Sequence, residues 1–590
     1  MSIPLGYPLP PDDNHAVSVS MPTWRDTEGW AQRDPAVLSK LQTGYPRFYV
    51  PHLVRELAKC LLDWMDLKRS TKPLEASADL FPSRDMALAC RWYLRKNPTL
   101  PEGGQDVQAS QAVEALEIAW DGTIRLLAVD DNSPGRLMDD TITFFNVHAQ
   151  GPSEHPPLRR ARHVYVVVYP NTMATKAKSF WQHTGFGISS RFASLWLERA
   201  PFFPNIPDEA KMQEPGRFLP DAGSENRKKI TTAIADSYGH GVDDLDVRLF
   251  HTGMSAITHT AIALKKAMNY REEEFCVCVF GFLYVDTFKV LSKVLGFKFV
   301  LYGHATPEEM DKLEADLASD RIRISALFTE FPGNPLLGCL DIARLCVLSH
   351  KYNFVLVVDD TVGTSVNVDL LPHCDIICTS LTKMFSGGCN VMGGSVVLKP
   401  RARYTVLFHQ AFRDIYQDVY FVLDSATMLA NSLRFKERVQ EASISAEIIA
   451  KILRKSSVVK RVYYPKGSRT QDLYEMVAKP YTGTGMTLDR KGKRFGYGFL
   501  LSIAFKTPEA AIAFHDALEV AKGPSLGTNF TLMCAYTLLA HYSELNEVAE
   551  YGLPEHLVRI SVGLENIHTL VAKIKKALEV AKGKRKCTVS

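Results

Sequence analysis

The chain has 590 residues, 69 Lys and Arg against 65 Asp and Glu, and a formal net charge of +4. That length exceeds what one hydrophobic core serves, so several units are expected, and basic residues spread through the chain exclude a nucleic-acid surface as its main feature. Hydrophobic residues make up 46% and charged residues 23%, the composition of a folded globular protein, and no apolar run approaches the roughly 20 residues that span a bilayer.

Residues 1–60 open with prolines and read as an extended N-terminal arm. Residues 61–235 follow as an insert of mixed α/β character. Helical periodicity is present at 54–67 and 84–94, strand-like runs at 123–129 and 163–168, and prolines punctuate 201–207. The residues of this block suggest no chemistry. From 236 to 400 the texture changes. Short apolar runs at 247–250, 275–280, 322–328, 354–358, 376–379 and 395–398 alternate with helical stretches at 255–267, 287–295 and 308–317. The last carries a capping box, Thr306 with Glu309. This alternation predicts an α/β large domain with a mostly parallel sheet covered on both faces. Residues 401–590 read as a linking helix and a smaller C-terminal α/β domain. Its strands at 498–505 and 557–562 each precede a helix. Both helices are expected to end in the same heptapeptide, Ala-Leu-Glu-Val-Ala-Lys-Gly, at 517–523 and 577–583, with glycine where a C-cap wants it.

Met1-Ser2-Ile3-Pro4-Leu5 lacks the charged-then-apolar layout of a secretory signal. A soluble, cytoplasmic protein with no membrane or nucleic-acid partner is the expectation. The eleven cysteines form no CxxC pair, so buried thiols are expected rather than a metal site.

Three features carry chemistry. Ser380-Leu381-Thr382-Lys383 follows an apolar run and precedes Ser386-Gly387-Gly388. It places a lysine in apolar surroundings beside two hydroxyls able to meet a phosphate. Val357-Val358-Asp359-Asp360 closes the most apolar run in the chain, where open α/β sheets place ligand groups. Thr252-Gly253-Met254 joins a strand to a helix whose free N–H groups suit an anion. Together they supply what pyridoxal phosphate (PLP) requires: a lysine for the imine (Lys383), an acid for the pyridine nitrogen (Asp359) and a phosphate cradle.

The order of these pieces resembles the γ-subfamily of fold-type-I PLP enzymes of cysteine and methionine metabolism. Phe250-His-Thr-Gly-Met-Ser-Ala-Ile257, Glu330-Phe-Pro-Gly-Asn-Pro335, Val357-Val-Asp-Asp-Thr361, Ser380-Leu-Thr-Lys383, Ser525-Leu-Gly527 and Val558-Arg-Ile-Ser-Val-Gly563 are similar to that family's motifs. Residues 10–50 and 240–580 carry the resemblance. The long insert and the wording of the arm most resemble fungal cystathionine γ-synthases and related natural-product enzymes. The resemblance implies an aspartate-aminotransferase-like large domain and a PLP cofactor on Lys383. It also implies Tyr284 stacked on the ring and Asn334 near the ring oxygen. Ser380 and Thr382 join Thr252, Gly253 and Met254 around the phosphate, and Arg559 clamps the substrate carboxylate beside Ser525. Tyr45-Pro-Arg47 resembles the segment that reaches the cofactor of a neighbouring subunit, which implies a homodimer or homotetramer. Ser189-Ser-Arg191 competes with Arg47 for that contact. Lys383, Tyr284 and Tyr45 are the candidate catalytic residues.

The chain also departs from the family. Tyr284-Val285-Asp286-Thr287 stands where Tyr-Gly-Gly-Thr is usual. Phe530 replaces a glutamate in the segment after Ser525-Leu-Gly527, and is expected to present an apolar wall to the nucleophile. The resemblance implies γ-replacement on an O-acyl-L-homoserine, passing through a vinylglycine-type intermediate that accepts a nucleophile at Cγ. Cysteine as nucleophile gives cystathionine. A keto-acid enolate, forming a carbon–carbon bond in secondary metabolism, and a lyase activity are the alternatives. A non-catalytic protein acting through the insert is the reading of a different class.

Overall fold

The computed structural model describes residues 3–45, 49–68, 75–96, 112–127, 161–206, 223–268, 274–481 and 494–583. Its centre is a seven-stranded sheet in the order Val247–Phe250, Gly394–Leu398, Ile376–Ser380, Val355–Asp359, Ala326–Glu330, Cys276–Phe280, Lys298–Tyr302. Every neighbouring pair is parallel except those made by Gly394–Leu398, which runs against both strands beside it.

The two-residue period of a strand sorts the apolar residues into two layers. Leu327, Leu356, Val358 and Ile377 join one core with Ile230 and Ile234. Ala326, Phe328, Val355, Val357 and Ile376 join another with Ile257, Ala261 and Leu264 of the helix Gly253–Met268. Each Val, Leu, Ile or Phe among them, fully buried, stabilises the fold by about 1.5–3 kcal/mol relative to exposure. Continuous apolar runs therefore mark strands covered on both sides, as expected. Glu330, Asp359 and Ser380 are the last residues of three adjacent strands, so one edge of the sheet presents two carboxylates and a hydroxyl.

The C-terminal unit is a five-stranded sheet in the order Val459–Tyr463, Leu500–Phe505, Val558–Ser561, Leu532–Ala535, Ala521–Lys522. The twenty-residue helix Phe435–Arg454 leads into it.

The insert is built on a four-stranded antiparallel sheet in the order Ala76–Phe81, His163–Pro170, Glu114–Ala119, Ile124–Leu126. On one face Leu80, Leu116, Val164 and Val166 pack with Leu57 and Leu61 of the helix His52–Lys68 and with Trp196. On the other, Phe81 and Val167 pack with Phe180 and Phe186, and that cluster continues into Ile257 and Leu291 of the large unit. The insert thus shares a hydrophobic core with the central sheet.

Several local expectations are corrected. The boundary placed at 235/236 falls inside the helix Gly223–Tyr238, whose Tyr238 hydroxyl donates to Asp360 Oδ2 at 2.7 Å. The stretch 287–295 is a short α-helix, Val285–Lys289, continued by a π-helical turn, Val290–Val294. The capping box is half formed. Thr306 Oγ1 accepts from Glu309 N, but the Glu309 carboxylate accepts from His304 N and Ala305 N instead of the cap's own amide. The first copy of the heptapeptide is not helical: the helix Pro508–Ala517 stops at its first residue, and Ala521–Lys522 is a strand. The described cysteines are free thiols, most of them buried. Among the described residues no helix is long and apolar enough to cross a membrane, and no cluster of side chains could hold a metal ion.

Candidate active site

A cavity of about 910 Å³, counted with its open mouth, lies at the carboxyl ends of the parallel strands. Sheet and loop residues converge on it from three parts of the chain. The central sheet supplies Glu330, Asp359 and Ser380; the loop after Ser380 supplies Lys383; the C-terminal unit supplies Ser525 and Arg559. Lys383 Nζ donates to Ser525 Oγ at 3.1 Å, and Arg559 Nη2 donates to the Ser525 carbonyl at 2.8 Å. Arg559 Nη1 also donates to Asn334 Oδ1 at 3.1 Å, and its guanidinium lies 4.6 Å from the centre of the Tyr536 ring.

Close backbone approach explains two glycines. Gly527 has φ +69°, and a Cβ there would sit 2.6 Å from Met384 N and 2.9 Å from Lys383 Cβ. A side chain would therefore push the Ser525-Leu526-Gly527 loop off the lysine. At Gly253, which opens the helix Gly253–Met268, a Cβ would meet Ser380 Cβ at 2.8 Å.

The electrostatics follow from burial. Burial first, then the neighbouring Asp359, push the Glu330 carboxyl up to about 8, against the pull of the Tyr284 and Asn334 amides that donate to it. Asp359 is also raised by burial, while its hydrogen bonds from Thr361 and the Lys383 charge pull it back. Asp360, behind it, is raised to about 7 by burial despite hydrogen bonds from Thr379 and Tyr238. These two strand ends lie side by side in register, Glu330 against Asp359. The site thus crowds carboxyl groups where a cationic ring nitrogen would relieve the strain.

A second cavity of about 520 Å³ shares Tyr45, Gly253, Met254 and Tyr284 with the first and adds Thr252 and Thr382. Apart from Arg191, all the sequence candidates for catalysis and for cofactor and substrate binding that fall on described residues line one of these two spaces. Arg47 lies outside the described residues.

Tyr45 lines the first cavity, its ring centre 3.9 Å from Lys383 Nζ, and the arm before it is tied to the body by Val17 N donating to Cys389 O and Met21 N to Lys522 O, both at 2.8 Å. Two candidate placements differ from expectation. Arg191 does not face the site; it donates to Asn390 O at 2.6 Å and pairs with Asp424 at 3.2 Å. Phe530 is not among the described residues lining either cavity, and the apolar wall is formed instead by Leu526, Leu539 and Ala540 with Tyr536. The Thr382 hydroxyl is held by the Gly393 backbone, accepting from its amide at 3.1 Å.

Sequence reasoning missed Glu330 as a titrating group, Tyr536, and the insert residues Trp181, Gln182, Gly185, Gly187 and Ile188 along the second cavity. The Glu330 motif was visible, but its neighbour Asp359 is brought to it only by strand pairing. The insert residues carry no motif at all.

PLP fits this geometry. The cavity joins a buried primary amine, an acid at the end of the neighbouring parallel strand, a helix N-terminus and a guanidinium, with glycines where backbone must come close. Residues 245–579 match the model of the Cys/Met metabolism PLP-dependent enzyme family, and residues 53–189 match the N-terminal domain of fungal trans-sulfuration enzymes. The chain is 35% identical to the cystathionine γ-synthase-like enzyme iboG1 of Amanita muscaria, with 98% of each chain covered. It is 32% identical to the cystathionine γ-synthase of Neurospora crassa, again with 98% of each covered. Among solved structures, cystathionine γ-synthase from Xanthomonas oryzae matches with a TM-score of 0.51 at 22% identity, over 61% of this chain and 86% of that one, a likeness of fold. The chain therefore belongs to the PLP-dependent enzymes of Cys/Met metabolism, in the cystathionine γ-synthase-like group that carries the fungal N-terminal domain.

Proposed function

We propose that the protein catalyses γ-replacement on an O-acyl-L-homoserine, with cysteine as the nucleophile. The observation that carries this reading is the Lys383–Ser525–Arg559 chain of hydrogen bonds. It brings the amine that would hold the cofactor and a guanidinium able to take an α-carboxylate onto one residue of one cavity.

Bound PLP supplies an electron-withdrawing ring that acidifies the Cα–H of an amino acid joined to it. Arg559 grips the α-carboxylate with two parallel N–H groups, and the Asn334 and Ser525 oxygens hold its orientation. Asp359 holds a proton on the ring nitrogen. Lys383 Nζ takes the Cα proton as general base. Tyr284 would cover the ring of the bound cofactor, and Tyr45, lying against Lys383 Nζ, is placed to pass protons as the acyl group leaves. A Cβ proton is then removed, the Cγ–O bond breaks, and one of the released protons leaves with the acid. The nucleophile gives up its proton and bonds Cγ, and protons return to Cβ and Cα.

A second reading is favoured by one observation: the wall of Leu526, Leu539 and Ala540 is apolar, and among the described lining residues the cations are Lys383 and Arg559. Cysteine brings an ammonium group as well as a second carboxylate to that wall. The enolate of a keto acid brings a carboxylate but no ammonium, and so asks less of it.

The test is incubation of PLP-loaded protein with O-acetyl-L-homoserine plus cysteine, and separately plus acetoacetate, with products read by mass spectrometry. Cystathionine in the first supports the leading reading. A carbon–carbon adduct in the second alone replaces it with the second. Unconsumed acyl-homoserine in both rejects γ-replacement.

A further inference from the structure

The insert carries a segment that touches the candidate cofactor site directly. The helix Ala174–Thr184 is closed by Gly185 at φ +68°, and the following turn carries Phe186, Gly187 and Ile188. The Thr252 hydroxyl donates to the Gly185 carbonyl at 2.9 Å, and Thr258 Oγ1 lies within hydrogen-bonding reach of the Thr184 carbonyl at 3.3 Å. A Cβ at Gly185 would come within 2.4 Å of Thr252 Oγ1 and 2.8 Å of Met254 Cβ. This turn is therefore pressed against the loop that opens the helix Gly253–Met268, with no room for a side chain between them. Trp181, Gln182, Gly185, Gly187 and Ile188 line the second cavity opposite Gly253 and Met254.

The same segment reaches the loop that carries Tyr284. His183 Nδ1 lies 2.8 Å from Asp286 Oδ1, and Gln182 Nε2 donates to the same oxygen at 3.2 Å. Asp286 is fully buried and His183 is 5% exposed. Asp286 lies in the first turn of Val285–Lys289, and Tyr284 is the residue that caps that helix. Asp286 also stands where the resembled family carries glycine. A carboxylate without solvent is costly unless donors meet it, and the donors come from the insert. The departure at 286 and the presence of the insert thus answer each other.

We propose that the insert is a working part of the cofactor site: its 181–188 segment walls the phosphate end, and His183 is a positioning residue that sets Tyr284 through Asp286. This rests on PLP occupying the cavity of Lys383 and on Tyr284 facing its ring.

The test compares full-length wild type with His183→Ala, His183→Asn and Leu57→Ala. Leu57 is buried in the insert's other core and lines neither cavity. Three quantities are read: PLP affinity of the apoprotein, the visible circular dichroism of bound PLP, and the apoprotein's Tm. His183→Ala is expected to weaken PLP about tenfold or more and to change the dichroic band. His183→Asn, which keeps a donor at the Nδ1 position, restores most of both. Leu57→Ala lowers Tm and leaves affinity and band in place. If His183→Ala does not fold, Asp286→Asn, equal in shape, is read for the same loss. Wild-type affinity and band in His183→Ala, or an equal loss in Leu57→Ala, overturns the proposal. A wild type that binds no PLP overturns instead the reading beneath it.

Discussion

Lys383 Nζ stands 3.1 Å from Ser525 Oγ, across 142 residues of chain. Ser525 itself has φ +105°, and its carbonyl accepts from Arg559. One strained residue therefore links the amine that would hold the cofactor to the guanidinium that would hold the substrate.

Replacing Lys383 by Ala removes both the cofactor's attachment and the proposed base. Turnover is expected to fall by at least about 10²–10⁴-fold, the span of a lost general base. The absorbance band of attached PLP disappears while the fold remains by far-UV circular dichroism. Retained turnover with the band present would rule out Lys383.

Arg559→Lys keeps the charge but loses the two-pronged grip and the stacking on Tyr536. KM for the amino-acid substrate is expected to rise by about tenfold or more, with PLP affinity unchanged. Steady-state kinetics beside a PLP titration separate these. A loss of PLP affinity with unchanged KM would place Arg559 at the cofactor instead.

Gly527→Ala forces a Cβ into the Lys383–Met384 backbone at a positive φ. The strain is of order 1–3 kcal/mol. The expected result is a lower Tm and weaker PLP binding together, because relief requires the loop to leave Lys383. Gly552, also at positive φ but with open space around it, is the control: its Ala variant should lose stability without losing cofactor.

Glu330 makes the apoprotein pH-sensitive. Its folded pKa, about 8, is above the ordinary value, so between about pH 4.5 and 8 the folded state binds more protons than the unfolded. Stability therefore falls as pH rises through that window, by up to about 1.4 kcal/mol per pH unit. Thermal unfolding of apoprotein across pH should show this slope, and Glu330→Gln should flatten it. An unchanged slope in the variant would assign the effect to Asp360, raised to about 7.

Much of the site was legible because its pieces are local. Strand ends carry Asp359 and Ser380, a helix start carries Gly253, and each is marked by residues within a few positions of it. The parallel sheet was legible for the same reason, since burial on both faces leaves continuous apolar runs. Phe530 and Arg191 were misplaced because adjacency to a motif says little about direction. A side chain's aim depends on loop closure over long distances.

The heptapeptide Ala-Leu-Glu-Val-Ala-Lys-Gly marks the limit most clearly. At 577–583 local propensity prevails: the helix Ile567–Ala581 runs through it and Gly583 closes it at φ +74°. At 517–523 the same residues leave the helix at Ala517 and pair Ala521 and Lys522 with Leu532 and Met533. There Lys522 O accepts from Met21 N, Lys522 Nζ donates to Pro22 O, and Gly523 passes so close to Val19 O that a Cβ would lie 2.1 Å from it. Local pattern determined the α/β class and marked the candidate lysine, acid and phosphate cradle, while the arginine came from the resemblance of its segment to a family motif. Tertiary structure decided which insert residues line the second cavity and the conformation of a repeated heptapeptide. In the heptapeptide a few hydrogen bonds from residues far along the chain outweigh helix propensities of less than about 1 kcal/mol per residue.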